Sequence, residues 1–193
     1  MDIGNYSEAG VELALDLVNT QAMTRDRLPD LTATRAFLDG HGIAGPVGEA
    51  DLPRLQRLRE RLRAVFEAGG DADRAAAILT ELLVEHRAVP RLVAAEGVLR
   101  LEAGTAHDDA VDAVGSVAAM ALAVLLAEVG AARLGTCHSQ TCQDAYVDLT
   151  KNRSKRFCGD GCARITGVRN FRSRRRAHEA AQHEDVLTSR EIG

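Results

Sequence analysis

Cys137-His138-Ser139-Gln140-Thr141-Cys142 and, after fifteen intervening residues, Cys158-Gly159-Asp160-Gly161-Cys162 hold all four cysteines of a 193-residue chain within 26 positions. Two close pairs separated by a loop let a chain present four thiolates to one tetrahedral metal, each pair filling two corners. The spacing predicts a structural zinc site with Cys137, Cys142, Cys158 and Cys162 as its ligands. The competing readings are two disulfides or four unrelated thiols, and disulfides need an oxidising compartment. Met1 to Thr20 carries Asp2, Glu8, Glu12 and Asp16, with neither a basic leader nor a small-residue cleavage site behind an apolar core. A cytoplasmic location with reduced thiols is therefore expected. Four thiolates also fill the tetrahedron, and no nucleophile or general base is marked nearby, so the chain is read as no enzyme. His138 remains an alternative to one of the sulfurs.

Working outward, Asp144–Asp148 and Ser154–Phe157 read as two short strands around Leu149–Arg153, followed by a helix over Ala163–His178 with Cys162 in its first turn. That is a treble-clef-like module. At 100° per residue, Arg164, Arg169, Arg172, Arg175 and Arg176 fall within an arc of roughly 140°, with Arg174 off it. Lys151, Arg153, Lys155 and Arg156 extend the basic surface. From Arg133 to His178 there are eleven Lys and Arg against three Asp and Glu, a net of +8, which leaves −12 for the rest of a chain whose total is −4. A basic module on an acidic body suggests a polyanionic partner, and guanidinium forks suit phosphate oxygens and guanine edges. These nine residues are the candidate nucleic-acid contacts. The bland alternative is a solvated face, or one that pairs with the acidic body.

The body before Arg133 reads as mainly helical, because 46% apolar residues with 3% aromatics and no Trp build a core of Leu, Val and Ala. Helices are expected over Glu8–Thr20 with Ser7 as N-cap, Thr32–Gly40, a segment capped by Asp51, and Asp73–Arg87. On the third, Arg54, Arg57, Arg59, Arg61 and Arg63 are interleaved with Glu60 and Glu67 and read as a solvated face. His86 reads as an exposed or packed residue near a helix C-terminus. Arg91–Ala95 and Val98–Glu102 alternate around Glu96-Gly97 as a β-hairpin. The longest helix is expected to begin at Asp108-Asp109, with a charge-free run over Ala113–Ala127 that is too short for a membrane span of about 20 residues. Asp16 and Asn19 share a helix face and could bind a ligand, or hydrogen-bond the protein's own backbone.

Cys137, Cys142, Asp148, Lys151 to Arg156, Cys158 and Cys162 resemble the bacterial CGNR-type zinc finger, and Leu13 to Thr20 (Leu-Ala-Leu-Asp-Leu-Val-Asn-Thr) resembles the N-terminal signature of its ABATE partner domain, a stress-induced transcription regulator. The pattern departs where Ala163-Arg164-Ile165 stand in place of Gly-Asn-Arg after the last cysteine, and where Phe157 replaces the usual Trp. The resemblance implies transcriptional regulation through DNA, with the N-terminal domain sensing a ligand.

The expectation is an α+β, mainly helical protein: a body with a hairpin over 1–132, a four-cysteine zinc module over 133–178, and a polar tail over 179–193. Its function is read as DNA binding dominated by phosphate contacts, with a small-molecule effector, no membrane, and room for an oligomer. The alternative is a ligand-binding body whose zinc module contacts protein.

Overall fold

Six helices and two antiparallel strand pairs make up the residues that the computed structural model describes, 5–95, 97–104 and 109–190. In chain order these are α1 (Asn5–Asn19), α2 (Leu31–Gly40), α3 (Asp51–Phe66), α4 (Ala72–Glu85), β1 (Val89–Ala95), β2 (Val98–Gly104), α5 (Ala110–Val129), β3 (Leu134–Thr136), β4 (Ala145–Val147) and α6 (Asp160–Arg190). The architecture is the α+β, mainly helical one expected.

Three helices open on an aspartate whose carboxylate satisfies an otherwise unpaired amide: Asp30 accepts from Ala33 N, Asp71 from Arg74 N, and Asp109 from Asp112 N. Asp51 is not the cap expected of it. It is the first helical residue of α3, accepting from Gly48 N at 2.9 Å and pairing with Arg54 at 2.8 Å. Ser7 likewise lies inside α1, which has already begun at Asn5. Glu96 and Asp108, expected at the hairpin turn and at the start of α5, lie outside the described residues, as do 105–107 and 191–193.

The core forms around α5, whose buried face includes Val111, Val114, Ala118, Leu122 and Leu125, against Leu13 and Leu17 of α1, Leu58 and Leu62 of α3, and Leu79 and Leu82 of α4. Each large apolar side chain removed from water contributes about 1.5–3 kcal/mol. Gly10 lets α1 sit close, since a Cβ there would stand 2.6 Å from the Ala121 Cβ. At 20 residues α5 is long and apolar enough to cross a membrane, unlike its shorter charge-free run, and its burial among these helices accounts for that composition. It is not the longest helix: α6 has 31 residues and continues through Arg190, so residues 179–190 of the expected polar tail are helical.

The arginines of α3 are not a solvated face. Arg59 is buried and makes two 2.7 Å contacts with Asp26, plus one of 3.2 Å with Thr20 Oγ1. Arg54 bridges Asp51, Asp109 and Asp112, Arg61 bonds Glu81 and Glu85, and only Arg57 of the five is exposed. Most of them tie helices together. His86 takes the packed alternative: it is buried, with Nδ1 3.0 Å from Asp112 Oδ1.

In the C-terminal module the strand partner differs from the expected one. β4 pairs with β3, in the register Leu134 with Val147, Gly135 with Tyr146 and Thr136 with Ala145. Ser154–Phe157 forms no strand, because its backbone is used elsewhere: Lys155 N donates to Asp148 Oδ2, the Tyr146 hydroxyl donates to Lys155 O, and His138 N donates to Arg156 O. Glycine is required opposite Tyr146, where a Cβ would come within 2.9 Å of the ring.

Leu134, Ala145 and Val147 belong to the same buried cluster as the body's helices. Asn19 clamps the seam, its Nδ2 donating to Ala145 O at 3.1 Å and its Oδ1 accepting from Ala145 N at 2.7 Å. Arg63 bridges Val18 O and Gln143 O, and Gln143 Nε2 donates to Gln21 O. Asn19→Ala strands both polar groups of a buried residue, at about 2–4 kcal/mol. Hydrogen exchange at the Ala145 amide is expected to accelerate in that variant; unchanged protection would contradict the clamp.

Candidate metal centre and its basic surface

The four cysteines arrive from three places: Cys137 directly after β3, Cys142 after a tight turn in which its N–H donates to Ser139 O, and Cys158 and Cys162 at the entry to α6. Their Sγ atoms all lie within 4.8 Å of one another, with Cys142 to Cys158 and Cys158 to Cys162 both at 3.7 Å. Sulfurs about 2.3 Å from one tetrahedral zinc stand about 3.8 Å apart, so the donor set fits that ion in both identity and spacing. None of the four is in a disulfide. His138 is exposed and turned away, its Nδ1 accepting from Arg156 Nε at 3.3 Å, and it takes no part in the sulfur cluster.

The thiols are unequal. Burial pushes Cys142 up to about 12 and drives Cys158 up as well, where its neighbouring thiols add to the effect. Burial acts upward on Cys137 too, but the backbone N–H groups of Cys158 and Ser139, together with the Cys158 and Cys162 thiols, outweigh it and hold that thiol below its ordinary value. A metal must therefore displace protons from Cys142 and Cys158, so its affinity falls as pH falls.

Asp148 organises the loop between the pairs. It is buried, accepting from Thr150 N at 2.8 Å, Thr150 Oγ1 at 2.5 Å and Lys155 N at 2.9 Å, and the Thr150 hydroxyl leads in holding its carboxyl below the usual range. Lys151 and Arg153 project from this loop and are exposed. Lys155 is turned inward instead, its Nζ donating to Val147 O at 3.2 Å and lying 5.4 Å from the Tyr146 ring centroid. Arg156 is exposed beside His138. Arg164, Arg169, Arg172, Arg175 and Arg176 are all exposed on α6. Ile165, Val168 and Phe171, which the charge pattern concealed, are exposed among them.

Asp16 and Asn19 line a cleft of about 970 Å³ between α1, α5 and the module, together with Glu12, Leu125, Tyr146 and Arg133. Asn19 is occupied by its clamp. Asp16 Oδ2 lies 3.5 Å from His41 Nε2. The seam residues Gln143 and Arg63 carried no sequence signal, since each acts through a backbone carbonyl far away in the chain.

Residues 12–129 match the ABATE family model, described as a putative stress-induced transcription regulator. The chain belongs to the ABATE family. Residues 133–175 match the CGNR zinc finger. No curated protein matches the chain. The ABATE match ends just before the short 3-10 turn Ala131–Arg133, so body and finger adjoin with almost no linker. Ala163, Arg164 and Ile165, where the chain departs from the CGNR pattern, are all exposed on α6, and the departure leaves the sulfur cluster complete.

Proposed function

We propose that this ABATE protein is a cytoplasmic DNA-binding transcriptional regulator, with a structural zinc ion held by Cys137, Cys142, Cys158 and Cys162 and the basic surface of its finger as the DNA contact. One contrast carries the reading. Arg54, Arg59, Arg61 and Arg63 of α3 are engaged with carboxylates or backbone carbonyls, whereas Arg164, Arg172 and Arg176 of α6 are exposed and, among the described residues, pair with no carboxylate. Among the described residues the acidic body leaves the arginines between Arg164 and Arg176 exposed, which disfavours charge pairing within the chain. Cations held in the open have a role in binding a polyanion. Zinc here is a crosslink, since four thiolates leave no open position for a substrate, and the protein is no enzyme. The cleft against α1 and α5 supports a second element of the reading, a small-molecule effector that touches body and finger together.

Duplex affinity measured across a salt series tests this. Counterion release predicts a linear fall of log K with log salt, with a slope of about −0.9 per phosphate neutralised and a loss of at least tenfold from about 50 to about 200 mM. Absence of binding at low salt, or affinity indifferent to salt, would overturn the reading.

A further inference from the structure

The finger's cations are not equivalent, and the difference singles out one place on it. A pocket of about 240 Å³ opens between the first cysteine turn, the segment before Cys158 and the second and third turns of α6, lined by His138, Gln140, Arg156, Thr166, Arg169 and Asn170 among others. No carboxylate is among its lining residues. Arg156 is held by His138, and Arg169 Nη1 donates to Gln140 Oε1 at 2.6 Å. Each guanidinium carries five N–H donors, so a neutral acceptor that takes one of them fixes the group while leaving most of its donors and all of its charge.

We propose that this pocket grips a single phosphodiester of the DNA backbone between Arg156 and Arg169, and so sets where the finger sits on the duplex. The inference rests on the DNA-binding reading and assigns it a particular anchor. Three arguments favour this pocket over the solvated arginines farther along α6. Freezing a long side chain on binding costs rotamer entropy, and Arg156 and Arg169 are each already hydrogen-bonded to a neighbour. The pocket is concave, and Thr166 and Asn170 offer further hydrogen-bond donors to phosphate oxygens. Its walls come from the residues after Cys137, before Cys158 and after Cys162, so the same cluster that takes the metal assembles the anion site.

The test compares duplex binding by the full chain with that of two doubly substituted variants, Arg156→Gln/Arg169→Gln and Arg172→Gln/Arg176→Gln. Each removes two positive charges, so net charge alone predicts equal losses. Zinc content and circular dichroism confirm that each variant is folded. The expected result is that the pocket variant binds at least about tenfold more weakly than the helix variant at low salt, with a salt slope shallower than wild type by about one unit. An Arg156→Lys/Arg169→Lys variant, which keeps the charge but not the fork, is expected to lose several-fold. If the wild type binds DNA but the pocket variant is no weaker than the helix variant, the anchor is wrong and the DNA reading stands. If the wild type binds no duplex at all, both fall together. Lysine variants indistinguishable from wild type would overturn the fork geometry.

Discussion

Cys158→Ser is expected to give the largest effect of any single substitution in the finger: zinc content falling from about one to near zero per chain, and loss of amide protection over His138–Cys142 and at the entry of α6. The Cys158 sulfur lies 3.7 Å from both the Cys142 and Cys162 sulfurs. Its loss leaves a three-sulfur set in which burial already favours the protonated thiol at Cys142. Structural zinc contributes about 10–16 kcal/mol in isolated finger peptides, and that binding energy is folding energy, so removing a ligand removes order as well as metal. The loss should stop short of the body. β3 and β4 are also held by Asn19 and by burial of Leu134, Ala145 and Val147, so the Ala145 amide should remain the best protected in the finger. Native zinc content and an unchanged melting profile in Cys158→Ser would contradict the structural role.

The second large effect lies in the body. Asp26→Ala leaves the Arg59 guanidinium, whose side chain is 3% exposed, without its carboxylate. An uncompensated buried charge costs about 3–5 kcal/mol, and the partial exposure of Asp26 places the expected loss near the lower end, at about 3 kcal/mol. For a chain of this size that is a fall in Tm of roughly 6–12 °C. The pH dependence has a definite sign. The hydrogen bond from Arg59 holds the Asp26 carboxyl below its usual range, against the opposing effect of burial. The stabilisation is therefore complete above the unfolded-state value of about 4 and is lost as pH falls through the lowered folded-state value. Thermal melts between pH 7 and pH 3 should show the gap between wild type and variant closing in acid. A gap that is absent at pH 7, or that widens in acid, would contradict this account.

What could be read from the sequence was what is local along it. The cysteine spacing located the sulfur cluster, apolar periodicity located the helices, and the starts read at Thr32 and Asp73 fall within one residue of those of α2 and α4. The alternation around Gly97 located the hairpin. Misreadings came where the deciding partner is distant in the chain. Arg59 reads as a solvated helix residue until Asp26, 33 positions away, folds against it, and Arg54 until Asp109, 55 positions away. β4 was assigned the wrong partner because Leu134–Thr136 is only three residues long, and nothing local says that Asp148 and Tyr146 will take up the Lys155 backbone. Asn19 showed its face but not its purpose, since Ala145 lies 126 positions on. The end of α6 was legible and missed: no glycine or proline follows His178 until Gly193, so no stop signal marked the helix end there.

Two proposals meet in the finger, that the thiolates hold zinc and that the zinc-ordered surface binds DNA. Duplex binding measured before chelation, after chelation and after zinc is restored tests both at once. The account predicts salt-sensitive binding that is lost with the metal and returns with it, in step with protection of the His138–Cys142 amides. Duplex affinity that survives removal of the metal, or a zinc-loaded protein that binds no duplex at low salt, would contradict it.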